Sequence, residues 1–181
     1  MLVDTRLTYD DYCLLPNNGR RYEIIDGELF SSPSPGRAHQ HMVTHLSASL
    51  GDCVNRVGEG EVYVGPFDVV FSRHDVVKPD ILYVSKERAS VVTEDNVQGA
   101  PDLVVEVLSA TTAKVDRTTK LKLYARYGVQ EYWLIDPEEC TAEIYRRKAR
   151  GFARVASLQP SDSLTTPLLP GFSVLLHKLV E

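Results

Sequence analysis

Residues 101–128, PDLVVEVLSATTAKVDRTTKLKLYARYG, have the pattern of a β-strand followed by a helix. The strand part is apolar on both faces, with valine or leucine at every position from 103 to 108 except Glu106. Strands with two apolar faces are typical of the middle of a covered sheet, where a carboxylate loses its water and needs a partner or a metal ion. Glu106 is therefore a candidate functional residue.

The helix that follows has two charged residues on its apolar side. On a 3.6-residue wheel, Asp116 and Lys120 fall inside the apolar arc. Lys122 and Arg126 fall on the opposite side. The i, i+4 spacing lets Asp116 and Lys120 contact each other, so one interpretation is a structural ion pair at the flank of the helix. The other is a functional cluster, because a strand-to-helix unit packs the strand's inner face, with Glu106, against the helix.

The composition predicts one globular domain spanning residues 1–181, with 43% hydrophobic residues and enough length for a core. The net charge of −5 argues against a broadly basic surface but allows a local basic groove. Three widely separated cysteines predict neither a disulfide framework nor a zinc site, and they favour the cytoplasm. The N-terminal stretch, MLVDTRLTYDDY, lacks a signal pattern, and no apolar run approaches the ~20 residues of a membrane span, so a soluble protein with no membrane partner is expected.

Two further candidate residues, Glu23 and His39, lie before residues 101–128, in a predicted hairpin and a predicted helix. Asp26-Gly27 predicts a two-residue hairpin turn in RYEIIDGELFS, with Tyr22, Ile24 and Leu29 on the core face. Glu23 lies on the other face, either in solvent or at the rim of a cleft. A long helix is predicted over residues 38–57, and His39 falls on its buried stripe as a core residue, a capping residue or a ligand.

A second acid, Asp80, opens the apolar strand PDILYV at residues 79–84. Asp80 could form a local turn or bind a metal ion. The 26 residues between Asp80 and Glu106 hold one strand and a polar connection, so the two acids can lie on neighbouring strands. Two carboxylates placed side by side at low dielectric repel each other, unless one is protonated or a divalent cation lies between them.

The chain after Gly128 completes a strand–helix–strand unit. Residues 129–137, VQEYWLIDP, predict another buried strand parallel to the first. A hairpin is expected around residues 148–151, where Arg146, Arg147, Lys148 and Arg150 form the most basic cluster in the chain. Such a cluster ordinarily keeps an edge hairpin soluble.

Several segments together resemble a large bacterial family described as putative restriction endonucleases, which belongs to the PD-(D/E)XK nuclease superfamily. The resemblance implies an α/β fold with a restriction-endonuclease-like core. That core is a mixed central β-sheet flanked by helices, here with extra β-hairpins. The segments that carry the resemblance are YEIIDGEL, HQHMVTHL, KPDILYV, PDLVVEVLSATT and KLKLYARYGVQEYWLIDP.

The resemblance also implies a metal site. In that superfamily the acids matching Asp80 and Glu106 bind Mg²⁺ or Mn²⁺, here with the Val107 carbonyl as a further ligand. A lysine two residues after the second acid completes the usual motif, but residue 108 is a leucine in this chain. Members that resemble this chain take the lysine from the following helix, which matches Lys120.

Three supporting residues follow from the same resemblance. Glu23 and His39 match positions that recur in the family, and Asp116 is expected to steer the catalytic lysine. The implied activity is metal-dependent hydrolysis of phosphodiester bonds in DNA, with a homodimer expected if both strands of a duplex are cut. The alternatives are a non-cleaving nucleic-acid- or protein-binding member of the fold, and a metal-dependent hydrolase of small phosphoesters.

Overall fold

The structure is a computed structural model that describes residues 5–181; the first four residues of the N-terminal stretch discussed above lie outside the described part. Three helices are labelled in chain order: α1 (Tyr9–Cys13), α2 (Arg37–Val57) and α3 (residues 113–127). The strands are β1 (Arg21–Ile25), β2 (Glu28–Ser32), β3 (Glu61–Val64), β4 (Asp68–Ser72), β5 (Asp75–Val77), β6 (Ile81–Val84), β7 (Asn96–Gln98), β8 (Leu103–Val107), β9 (Glu131–Asp136), β10 (Thr141–Lys148), β11 (Gly151–Leu158), β12 (Ser163–Thr165) and β13 (Ser173–Leu175). Short 3₁₀ helices cover Lys86–Val91 and Leu176–Leu179.

Two mixed sheets carry the fold within residues 5–181. The larger has six strands in the order β11-β10-β9-β8-β6-β3, and the smaller has five in the order β2-β1-β5-β4-β7. Strands β8 and β9 are parallel, as predicted, because helix α3 connects them; β6–β8 and β9–β10 are antiparallel. The α/β fold with a mixed sheet flanked by helices is therefore confirmed.

The six-stranded sheet is covered on both faces, which explains its continuous apolar strands. On one face the buried stripe of α2, including Met42 and Leu46, packs in the same core as Trp133. On the other face Leu123 and Tyr124 of α3 belong to a second core. Helix α2 ends at Gly58, whose φ of 70° is the left-handed conformation that favours glycine at this position.

The five-stranded sheet contains the predicted hairpin. Asp26 and Gly27 have φ angles of 53° and 78°, as the favoured two-residue turn requires, and Ile25 pairs with Glu28. The prediction of its core face was partly wrong: Ile24 is fully buried, but Leu29 is 45% exposed. The reason is that β2 is an edge strand of this sheet.

Residues 78–80 connect β5 of the hairpin's sheet to β6 of the six-stranded sheet. The two sheets therefore meet at the segment that contains Asp80. No helix within residues 5–181 is long and apolar enough to cross a membrane.

Candidate active site

Two acidic residues lie together where strands β6 and β8 run side by side. The antiparallel pairing of these strands places Asp80, the residue before β6, next to Glu106 and Val107. The Val107 N–H donates a hydrogen bond of 2.8 Å to Asp80 Oδ2. Asp80 and Glu106 are both buried, with exposed fractions of 4% and 3%. The structure thus brings together the two acids that the sequence places on neighbouring strands.

Asp80 is surrounded by hydrogen-bond donors from separate parts of the chain. Arg21 Nη1 donates to Oδ1 at 2.7 Å, and His39 Nε2 lies 3.0 Å from Oδ2. Arg21 also donates through Nη2 to the Lys78 carbonyl oxygen. Burial acts to raise the pKa of Asp80, but the hydrogen bond with His39 and the charge of Arg21 lower this pKa to about 2. Asp80 is therefore ionised at neutral pH.

Lys120 lies among three carboxylates. Its Nζ is 2.9 Å from Glu23 Oε1, 3.0 Å from Glu106 Oε1 and 3.3 Å from Asp116 Oδ1. Burial alone would lower the pKa of Lys120, but the charges of Glu106 and Glu23 outweigh burial and raise this pKa well above its ordinary value. Lys120 is therefore a buried ammonium group.

The backbone that carries Lys120 forms a π-helical turn, Asp116–Lys120, between α-helical segments Ala113–Val115 and Leu121–Tyr127. Such turns inside α-helices occur frequently at functional sites. Both ends of the turn, Asp116 and Lys120, are buried, whereas Lys122 in the following segment is exposed. Lys120, and not Lys122, is the lysine that reaches the acidic residues.

Glu106 has two donors on one oxygen. Lys120 Nζ and the Tyr124 hydroxyl both donate to Oε1, the hydroxyl at 2.6 Å. Burial raises the pKa of Glu106, and the nearby charges of Asp116 and Asp80 raise it further against the attraction of Lys120. Burial likewise raises the pKa of Asp116. These two carboxylates are thus destabilised as anions by the protein alone.

The charges of the cluster do not balance. It holds four carboxylates and two permanent cations, so ionisation of all four acids beside a neutral His39 leaves two negative charges without a partner. The acids are Glu23, Asp80, Glu106 and Asp116, and the cations are Arg21 and Lys120. Apart from the 3.3 Å ion pair between its Oδ1 and Lys120 Nζ, the carboxylate of Asp116 accepts no hydrogen bond within residues 5–181.

The oxygen chemistry of these donors, though not their present arrangement, suits a divalent cation. Carboxylate oxygens are the ligands that Mg²⁺ and Mn²⁺ prefer, and two positive charges would cancel the excess. Within residues 5–181, no three His, Cys, Asp or Glu side chains are already arranged as a metal cage. Lys120 Nζ lies among three of the four carboxylates. The role of the Val107 carbonyl as a ligand stays a prediction.

The cluster faces a cavity of about 250 Å³. Its walls are the cluster residues, the loop over residues 32–36 that leads into α2, and residues 109–112 that lead into α3. All six predicted site side chains line this cavity: Glu23, His39, Asp80, Glu106, Asp116 and Lys120.

Sequence reasoning missed two residues of the cluster. Arg21 lies two positions before Glu23 on β1, so the period of a strand could have placed both on one face. Tyr124 lies on the apolar arc of the helix, and its ring packs in the core, but its hydroxyl reaches Glu106. The spacing of Tyr124 four residues after Lys120 was the available signal.

The sequence matches a known protein family over most of its length. The model of the Uma2 family, described as putative restriction endonucleases, matches residues 9–177. The chain belongs to the Uma2 family. This Uma2 chain is 26% identical over 148 residues to the uncharacterized protein slr1290 of Synechocystis sp. (strain ATCC 27184 / PCC 6803 / Kazusa), a match covering 80% of this chain and 75% of that protein.

A solved structure shares the fold. It is a putative nuclease belonging to DUF820 from Anabaena variabilis ATCC 29413, which superposes with a TM-score of 0.78 at 21% identity. The match covers 96% of this chain and 97% of the other. The predicted family and fold are confirmed, and the Uma2 description supports a nuclease role.

Proposed function

We propose that this Uma2 chain is an endonuclease that hydrolyses phosphodiester bonds of DNA with Mg²⁺ or Mn²⁺. The observation that carries the proposal is the convergence of Asp80, Glu106 and Lys120 on one cavity, in a cluster where four carboxylates share two permanent cations. The description of the family supports the same activity.

In this proposal the carboxylates of Asp80 and Glu106, with the Val107 carbonyl, hold the cation. Bound there, the cation polarises a phosphate oxygen and lowers the pKa of its water. Asp80 suits this role because its low pKa keeps it ionised. Arg21 and His39 are positioning residues for Asp80, since each contacts one of its two oxygens.

Lys120 acts as a cation in this proposal. Its raised pKa keeps it protonated at neutral pH, so it donates hydrogen bonds and does not remove a proton. An ammonium group at this place stabilises the extra negative charge that the phosphate gains in the transition state. Glu23 and Asp116 position Lys120, because each holds its Nζ within 3.3 Å.

The test is cleavage of supercoiled plasmid and of branched DNA with Mg²⁺, Mn²⁺ or EDTA. Asp80→Ala, Glu106→Ala and Lys120→Ala are each expected to lower the rate at least about 100-fold, the usual cost of removing one electrostatic group. Glu28→Ala and Lys86→Ala change exposed residues outside the cluster and serve as matched controls.

Three outcomes decide between the functions. Cleavage that survives both Asp80→Ala and Glu106→Ala would remove the proposed site. Wild-type protein that binds DNA without cutting it in either metal would support the non-cleaving member of the fold. Hydrolysis of p-nitrophenyl phosphate without DNA affinity would support the small-phosphoester hydrolase.

A further inference from the structure

A second cavity, of about 450 Å³, lies on the other side of helix α3 from Lys120. It is a groove between the exposed face of α3 and the tip of the β10–β11 hairpin. Three cations, Lys122, Arg126 and Arg150, line it together with Phe152. No acidic residue is among its lining residues.

The groove is built between packed elements. Arg147 of the hairpin donates a 2.7 Å hydrogen bond to the Ala125 carbonyl in the last turn of α3. The Phe152 ring stacks on buried Tyr132 with centroids 6.1 Å apart. The two walls of the groove are therefore held at a defined distance.

The cations at the groove remain mostly unpaired. Lys122 and Arg150 of the lining are exposed and form no ion pair within residues 5–181, whereas Arg126 pairs with Asp26 at 2.7 Å. Lys148, which does not line the groove but lies at the adjacent hairpin tip, is likewise exposed and without an ion pair in this range. Residues 114–154 hold ten of the chain's 20 lysines and arginines, although the net charge of the whole chain is −5. The accumulation of positive charge is thus local.

The acids near the hairpin are already neutralised. Arg117 and Arg154 both pair with Glu143, at 3.1 and 3.3 Å. Arg146 pairs with the buried Glu131 at 2.9 Å. The charge left free for a partner at this surface is therefore positive.

We propose that this groove binds the phosphate backbone of duplex DNA, next to the DNA engaged at the carboxylate cluster. The inference rests on the proposed function, because that function makes DNA the substrate. Lys122 is two residues from Lys120, and a helix with its side chains is only about 10–12 Å across. One turn of DNA spans about 34 Å, so a single duplex can reach both places.

The experiment measures binding of a fluorescein-labelled 30-base-pair duplex by anisotropy in EDTA, over a range of KCl concentrations. The variant combines Lys122→Gln, Lys148→Gln and Arg150→Gln. The slope of log K against log salt is negative, and each lost phosphate contact reduces its magnitude by about 0.9. The slope of the variant is therefore expected to be smaller in magnitude by about 2 to 3. Its affinity is expected to fall at least about tenfold at low salt.

A matched control combines Arg56→Gln, Lys86→Gln and Lys178→Gln, which remove the same charge from other surfaces. This control is expected to keep nearly the wild-type slope. Titration with Mn²⁺ by calorimetry is expected to give the same affinity for both triple variants and the wild type, because the carboxylate cluster is untouched.

The inference is overturned if the groove variant keeps the wild-type slope, or if the control loses as much. Tighter binding of poly-glutamate than of the duplex would also overturn it, since the partner would then be an acidic polypeptide. A wild-type protein with no affinity for the duplex would overturn it as well. One further result would separate the two proposals. If the wild type binds duplex DNA without cutting it, and only the groove variant shows a reduced salt dependence, the groove proposal is supported and the nuclease proposal is contradicted. If the protein cuts DNA with metal but the groove variant keeps the wild-type slope, the nuclease proposal is supported and the groove proposal is contradicted.

Discussion

Glu106 and Glu131 are buried acids on the adjacent parallel strands β8 and β9, and their surroundings differ sharply. Glu131 is 1% exposed and lies on the sheet face that α2 covers, as does its neighbour Trp133. Glu106 is 3% exposed and points to the face covered by α3. The degree of burial therefore does not distinguish Glu106 from Glu131.

The difference lies in their partners. Glu131 Oε1 accepts from Trp133 Nε1 at 2.7 Å, and Oε2 accepts from Arg146 Nε at 2.9 Å and from the Thr166 hydroxyl at 3.3 Å. The single negative charge of Glu131 is therefore balanced by the one cation Arg146, and its other two partners are neutral donors. Glu106 shares the single charge of Lys120 with Glu23 and Asp116.

A buried carboxylate whose charge is balanced, such as Glu131, has the surroundings of a structural residue. Carboxylates that outnumber their cations are relieved by protonation or by a further cation. Unpaired charge in a protein interior costs free energy, so its persistence indicates a use outside stability. Three experiments test this distinction between Glu131 and Glu106.

The largest effect is expected from Glu131→Ala. This change leaves the buried Trp133 N–H without its acceptor and removes the partner of Arg146, whose side chain is 34% exposed, at a cost of about 2 kcal/mol in the free energy of unfolding. Glu106→Gln removes one charge from a group with excess negative charge and is expected to cost less than about 1 kcal/mol. Urea denaturation in EDTA measures both; equal losses would erase the distinction.

A smaller effect is expected from the metal. Mn²⁺ at ten times its dissociation constant stabilises a protein that binds it only when folded by about 1.4 kcal/mol. The wild type and Glu131→Gln are expected to gain this stability, and Glu106→Gln to gain little or none. A gain of the same size in Glu106→Gln would place the cation elsewhere.

The smallest effect concerns pH in EDTA. Because the folded-state pKa of Glu106 is raised, its contribution to stability is present below the unfolded value of about 4.3 and is lost as the pH rises. Asp80 acts in the opposite direction: its contribution is present above about pH 4 and is lost as the pH falls towards 2. The loss of unfolding free energy as the pH rises should therefore be smaller in Glu106→Gln than in the wild type. The same loss should be unchanged in Glu131→Gln, as measured by urea denaturation across pH.

Much of the site could be predicted because local patterns determine it. An acid on a strand with two apolar faces, and charges inside a helical apolar arc, are visible in sequence, and both Glu106 and Lys120 were found this way. The pairing of β6 with β8 followed from the strand lengths between Asp80 and Glu106. These features depend on residues close together in the chain.

The rest depends on contacts that no local pattern specifies. The parallel pairing of β4 with β7 joins a segment read as a polar connection to the five-stranded sheet. Arg21 becomes a site residue only because β1 lies beside the link at Lys78. The exposure of Leu29 likewise follows from the position of β2 at the sheet edge.

The position of Lys120 between the two sheets has a consequence for local unfolding. Its Nζ contacts Glu23 from the five-stranded sheet and Glu106 from the six-stranded sheet. An opening motion that separated the sheets would remove Glu23 and Arg21 from the cavity while leaving Asp80 and Glu106 in place. The cluster is therefore complete only when the two sheets are docked, and the proposed nuclease activity would be lost before the larger sheet unfolds.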